Sequence, residues 1–406
     1  MNNNHNWLIP IFAPMEKQGL TRPQLATMTV AAGICVANIY YNQPLLKDMA
    51  RDLQVSERQI GLIPVLTQTG YALGLFFLTP LGDKMPRKRL IGILLVLLIL
   101  ALAGMSLAPG IMAIYLMCVL TGASAVIAQV ILPMAAGMDP DNKGKNVGII
   151  FTGILTGILA ARVFSGYVAT WLNWRWVYAI SAGMVLVAGI FLQVVLPEVR
   201  QTFQGSYARL LGSTLEQIGR FALLRRTALL GALVFGVFCS FWTTLTFHLG
   251  GPPFNYATDI IGLFGLLAIG GALLAPVFGK LADKRHPARS LVMTIGLILS
   301  GVLLVMAFPN NLYATMAAVV LLDIGVQATQ VSNVATIYTL DAAAHSRINT
   351  VYMTAYFLGG SIGTFVGVQC WHAGGWHLVT WQLLLWGVIA LTLALESWRK
   401  LATLTA

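Results

Sequence analysis

Arg162 and Asp323 are formal charges set deep inside long apolar runs. An Arg or Asp at mid-membrane costs about 2.5–3.5 kcal/mol on insertion scales, so its presence points to binding or coupling. Asp323, Gln327 and Gln330 recur at i, i+4 and i+7 and therefore share one helix face. That face offers a carboxyl that can take up and release a proton beside two amides that can hold a polar solute. Arg162 offers a charge for an anionic solute or a counter-charge for Asp323. Counting helix rise from the start of each run, the two backbones differ by about 9 Å in depth within a core of about 30 Å, which leaves direct pairing open. A structural ion pair or polar packing between helices is the plainer alternative. Asn38, Tyr41, Asn42, Gln68, Tyr71, Gln129 and Thr243 with Trp242 are further candidates for an amphipathic cavity, or else interhelical hydrogen bonds.

Other chemistries find no footing. Cys35, Cys118, Cys239 and Cys370 are scattered without metal-ligand spacing, and His248, His372 and His377 fall at or beyond the ends of runs, so no metal site is expected. Neither a phosphate-binding Gly-Lys loop nor a nucleophile with its base stands at a readable spacing. An enzyme or an ATP-driven pump is therefore not expected, and no cofactor other than a proton gradient is implied.

The elements that must position these residues follow from composition. The chain has 406 residues, 57% of them hydrophobic and 10% charged. Such a chain belongs in lipid. Apolar runs of spanning length lie at 24–41, 59–80, 90–107, 111–138, 147–171, 176–196, 227–249, 260–281, 290–308, 312–340, 350–371 and 376–395. The net charge of +11 is not a nucleic-acid patch. With connectors assigned alternately to two sides, one side carries nearly all the Lys and Arg, and the other only Lys47, Arg51, Arg58 and Arg175. The rich side is then cytoplasmic, with both termini on it.

A short motif occurs twice, half a chain apart: Leu81-Gly82-Asp83-Lys84 followed by Arg87 and Lys88, and Leu281-Ala282-Asp283-Lys284 followed by Arg285 and Arg289. Further anchors keep the same order: Asp139 with Asp341, Asn146 with Asn349, Thr156-Gly157 and Ala160 with Gly359-Gly360 and Gly363, and Trp174 with Trp376. The expectation is an all-α membrane protein of twelve transmembrane helices in two parallel six-helix repeats. Its divisions are a cytoplasmic tail at 1–22, a bundle at 23–196, a linker at 197–226, a bundle at 227–396 and a tail at 397–406. Apolar residues of the linker recur at helical spacing, which predicts an amphipathic helix on the cytoplasmic membrane surface.

Six plus six spans with this duplicated loop resemble the major facilitator superfamily over essentially the whole chain. The resemblance implies the major facilitator fold, with Asp83, Arg87, Lys88, Asp283 and Lys284 in the loop that latches the two bundles as the cavity changes sides. Thr79 and Pro86 depart from that pattern in the first copy. In the fifth span, Gly148, Gly157, Ala161, Ser165 and Gly166 follow the spacing of the drug:proton antiporter branch, with Arg162 where that branch has proline. Their counterparts in the eleventh span include Gly359, Gly360 and Gly363. Cys118 stands where the superfamily commonly has a coupling arginine in the fourth span, so that residue cannot couple here. The resemblance implies proton-coupled efflux of small organic or drug-like molecules by a monomer in the bacterial-type inner membrane. The alternatives are transport of an anionic or polar metabolite with Arg162 as ligand and, more remotely, a non-transporting receptor.

Overall fold

The computed structural model describes residues 19–198, 205–268, 287–341 and 344–405. The first 18 residues of the predicted tail, residues 199–204 of the linker, residues 269–281 of the eighth run, and Asp283 and Lys284 with their loop lie outside the described residues.

Local chemistry sets where the helices begin. Thr21 and Gln24 close a reciprocal capping box at the start of α1 (Arg22–Ala37), with Pro23 inside the first turn where no donor is needed. The predicted first run of 24–41 is interrupted: Asn38–Tyr41 form a turn, and the chain resumes as α2 (Asn42–Leu53). Lys47 and Arg51, read as connector residues, therefore ride on a helix. A second capping box, Ser56 with Gln59, opens α3 (Glu57–Ile60), which leads into α4 (Leu62–Leu73). That span ends irregularly, as a π turn at Gly74–Leu78 and a 3₁₀ turn at Thr79–Asp83.

Next come α5 (Arg87–Leu107), α6 (Ile111–Ser124), α7 (Ile127–Met138), α8 (Lys143–Trp171), α9 (Trp174–Val195), α10 (Tyr207–Arg220), α11 (Ala222–Gly250) and α12 (Thr258–Ala268). The chain closes with α13 (Pro287–Ala307), α14 (Leu312–Ile337) and α15 (His345–Thr405). The last is broken by non-helical backbone at Gly374 and Gly375, where φ reaches 59° at Gly375, a left-handed value that glycine adopts without strain. The break falls between the predicted eleventh and twelfth runs. Among the described residues nine helices are long and apolar enough to cross a membrane, α15 counting as one of them, and no strand occurs.

Lipid supplies no hydrophobic drive for helices to associate, so close packing of small residues must do it. A Cβ on Gly157 of α8 would lie 2.2 Å from the Gly33 carbonyl oxygen of α1, and one on Gly363 of α15 only 2.3 Å from that of Gly236 in α11. Leu95 of α5 fills the space over Gly189 of α9, as Leu299 of α13 does over Gly387 of α15. Helix α11 is enclosed along its second half, with every residue from Val234 to Gly250 buried.

Among the contacts that join the described elements before the linker to those after it are two close helix crossings. On α4 and α15, Thr69 and Ser361 share a hydroxyl hydrogen bond of 2.7 Å, and Tyr71 packs on Phe357 with ring centroids 4.3 Å apart. On α8 and α12, Gly262 lies against the Arg162 carbonyl and Gly166 against Thr258. Helix α10 starts at the Ser206 cap, buries Leu210, Thr214 and Gln217, and leaves Leu215 and Ile218 exposed. It is tied to the first segment by the Tyr207 hydroxyl, which donates to the Phe77 carbonyl, and to the second by an Arg220–Asp341 ion pair of 2.7 Å.

Candidate functional site

Arg162 is brought into the junction by its neighbours. Ala161, Ser165 and Gly166 are buried on the same side of α8, and their small size lets α12 approach until Gly265 touches the Arg162 side chain. The guanidinium is 2% exposed. Its Nε donates to Gln43 Oε1 at 2.9 Å, and its Cζ lies 3.9 Å from the Trp242 ring centroid, 5.5 Å from Tyr40 and 5.9 Å from Phe238. Both Nη atoms are buried without a hydrogen-bond partner among the described residues. A desolvated cation–π contact contributes about 2 kcal/mol and a hydrogen bond to a charged group about 1.5–3 kcal/mol. Each unpaired donor costs about 1–3 kcal/mol, more on a charged group. The two Nη atoms carry four N–H donors, so the cage holds Arg162 without satisfying it.

Asp323 is likewise 2% exposed, on α14, and its Oδ2 has no partner. The two side chains form no ion pair, yet each acts electrostatically on the other, and Asp323 also acts on Tyr40. They are a buried base on α8 and a buried acid on α14, not joined to each other by an ion pair. One helical turn away, toward the end carrying most Lys and Arg, a cavity of about 60 Å³ begins at Ile158 on α8 and Gln327 on α14. Tyr40, Tyr71, Phe235, Phe238, Tyr356 and Phe357 wall it, with Gln129 and Gln330 as its further polar groups. Its volume is room for only a few water-sized molecules, whereas small-molecule pockets run to about 300–1,000 Å³. On the other side of the pair the junction is closed by the α8–α12 contact.

The other sequence candidates divide by orientation. Gln327, Gln330 and Gln129 line the cavity, with Gln330 3.4 Å from the Tyr356 hydroxyl and Gln129 3.4 Å from that of Tyr71. Asn38, Tyr41 and Asn42 face their own bundle: Asn38 accepts from Ser181 at 2.8 Å, Asn42 donates to Thr67 at 3.3 Å, and Tyr41 packs on Phe164. Asp83 pairs with Arg87 at 3.1 Å inside its own loop, and the Lys88 carbonyl accepts from Gln193. Gly157, Gly166, Gly359, Gly360 and Gly363 sit at close helix contacts, while a Cβ on Gly148 would meet nothing. Gln43 and Tyr40, which hold Arg162, belong to a stretch the sequence marks at the end of the first run, Asn38 to Pro44, but its residue types do not assign them this role. The turn at Asn38–Tyr41 rotates them toward the junction.

Comparison with known proteins agrees with this architecture. The sequence profile described as Major Facilitator Superfamily matches residues 28–364 and 254–400. The chain is 36% identical over 379 residues to Uncharacterized transporter YgaY of Escherichia coli O157:H7, covering 92% of this chain and 95% of that one. Among solved structures, a bacterial homolog of the human lysosomal transporter Spinster, inward-facing and unoccupied, superposes with a TM-score of 0.72 at 14% identity, over 92% of this chain and 96% of that one. The nucleoside transporter NupG does so with a TM-score of 0.74 at 12% identity, over 92% and 98%. A multi-pass helical chain matched over nearly its whole length by this family's profile, and by a relative of the same length, belongs to the Major Facilitator Superfamily and is a membrane transporter, not an enzyme.

Proposed function

We propose that the chain is a proton-coupled secondary transporter that moves small organic molecules by alternating access. The observation that carries this reading is the Arg162–Asp323 pair, buried at the junction of two bundles and not joined to each other. A carboxyl in this position can exchange a proton with whichever side the cavity opens to, and its counter-charge makes either protonation state consequential for a bound solute.

The same reading takes the chain as twelve spans in two parallel six-helix bundles, with a monomer as the unit. The matched crossings support it, since α1 meets α8 through glycines as α11 meets α15. Charge bias supports the inner membrane with both termini cytoplasmic. Because the cavity is far too small for a drug-sized solute, binding needs the bundles to part on one side. The antiporter-like spacing in α8 favours efflux of drug-like molecules against proton entry, with the Asp83 and Arg87 loop as gate. A second reading, an anionic or polar metabolite with Arg162 as ligand, is favoured by the two unpartnered Nη atoms.

Proteoliposomes loaded with a pH-reporting dye test the coupling. Solutes from a panel of drugs, sugars, amino acids, nucleosides and organic acids that raise the melting point of the purified protein are added under an imposed pH gradient. Wild type is expected to move protons with solute, and Asp323→Asn to bind the solute but move none. Undiminished proton movement in Asp323→Asn would remove Asp323 from the mechanism.

A further inference from the structure

We infer that the Arg162–Asp323 pair takes the anionic head group of an organic solute together with one proton, so that anion and proton cross in the same direction. This rests on the anionic-solute reading above and fixes the sign of its coupling.

The argument is one of charge balance in a dry site. With Arg162 cationic and Asp323 ionised, the junction is neutral overall. An anion bonded to the two open Nη atoms leaves one negative charge in excess, and an uncompensated charge in a low-dielectric interior is strongly unfavourable. A proton placed on the Asp323 carboxyl restores neutrality, leaving a cation, an anion and a neutral acid. A bound cation finds no equivalent state, because Arg162 remains charged at every accessible pH.

The surroundings leave Asp323 as the group that takes the proton. Among the described residues, Arg162 of α8 is the one titratable group acting on it, while Tyr40 after α1 feels Asp323 and joins it to Cys239 of α11 and Tyr356 of α15. Helix α13 contributes only Arg289, whose charge rests over Trp398 at the far end, and His248 of α11 is bonded to the Pro309 carbonyl at the other. The aromatic walls of the adjoining cavity suit the apolar body of such a solute, and Gln327 and Gln330 suit its polar substituents. The class named is therefore an amphipathic organic anion, not a drug-like cation.

Calorimetry on the detergent-purified full chain tests this with naphthalene-2-sulfonate, which stays ionised throughout the usable pH range. Naphthalene-2-sulfonamide is the neutral isostere and 2-naphthyltrimethylammonium the cation. Titrations in two buffers of different ionisation enthalpy count the protons exchanged. The sulfonate is expected to bind with uptake of one proton, tightening by about tenfold per unit fall in pH until Asp323 is protonated in the free protein. Asp323→Asn should bind it with no proton uptake and no pH dependence in that range. Arg162→Gln/Asp323→Asn, which buries no net charge, should fold and lose the sulfonate. Absence of sulfonate binding, equal binding of the sulfonamide, retention by the double variant, or proton release on binding each overturns the inference. Proton-coupled flux of a neutral or cationic solute would leave the transport reading intact while this one fails.

Discussion

At the scale of the residue, Gln43 decides how Arg162 is presented. Its Oε1 accepts the one guanidinium N–H bond made among the described residues, and that bond turns both Nη atoms away from Gln43. Gln43→Leu should cost about 1.5–3 kcal/mol, the usual effect of removing a hydrogen bond to a buried charge, read as a lower melting temperature in detergent. Gln43→Glu should act oppositely on ligand response: a carboxylate there pairs Arg162 internally and removes the stabilisation that an added organic anion gives wild type. An unchanged anion response in Gln43→Glu would mean that Arg162 is not the anion's ligand. Arg162 and Asp323 were legible in the sequence because a charge in an apolar run stands out by type alone. Gln43 and Tyr40 were not, since their role depends on a turn at Asn38–Tyr41. Asn38 and Asn42 attracted notice as polar residues, yet hydrogen bonds to Ser181 and Thr67 commit them to holding their own bundle together.

At the scale of the element, small residues determine which helices touch. The Gly33–Gly157 and Gly236–Gly363 contacts place backbone against backbone, so an added side chain cannot be relieved by a rotamer change. Gly157→Val should separate α1 from α8 and destabilise by about 1–3 kcal/mol, as overpacking does in a tight core. Gly148→Val, on the same helix but facing open space, should change the melting temperature little. Equal loss in both variants would show that helix propensity, not the crossing, sets the effect. Here the sequence was informative in a particular way: run length marked out the long apolar helices among the described residues, and the break at Gly374–Gly375 falls where two runs were separated. Positions within the spaced glycine pattern were not ranked by it. The spacing alone cannot say which face of α8 meets a partner, and Gly148 fits the pattern without a contact.

At the scale of the whole molecule, the helices before the linker are fastened to those after it at the end that is poor in Lys and Arg. Lys47 donates to the Gly250 carbonyl, Thr258 donates to Asp48, and Trp371 Nε1 donates to Glu57 at 2.7 Å. Each bond runs from the first segment to the second, and each is of order 1 kcal/mol in a partly exposed setting. Together they are of the size that biases a two-state equilibrium, where about 5.5 kcal/mol carries a population from one in a hundred to ninety-nine in a hundred. Beside them lies a polar cleft of about 800 Å³, lined by Thr170 at the end of α8 and Ala257 just before α12. Asp48→Ala with Glu57→Ala removes two of the three fastenings and should favour the state open at this end. Spin labels at Thr170→Cys and Ala257→Cys read the opening as a longer distance component that grows in the double variant. If the distance distribution stays as in wild type, the closure rests instead on the α8–α12 contact at Gly166 and Gly262, where no side-chain bond is available to remove.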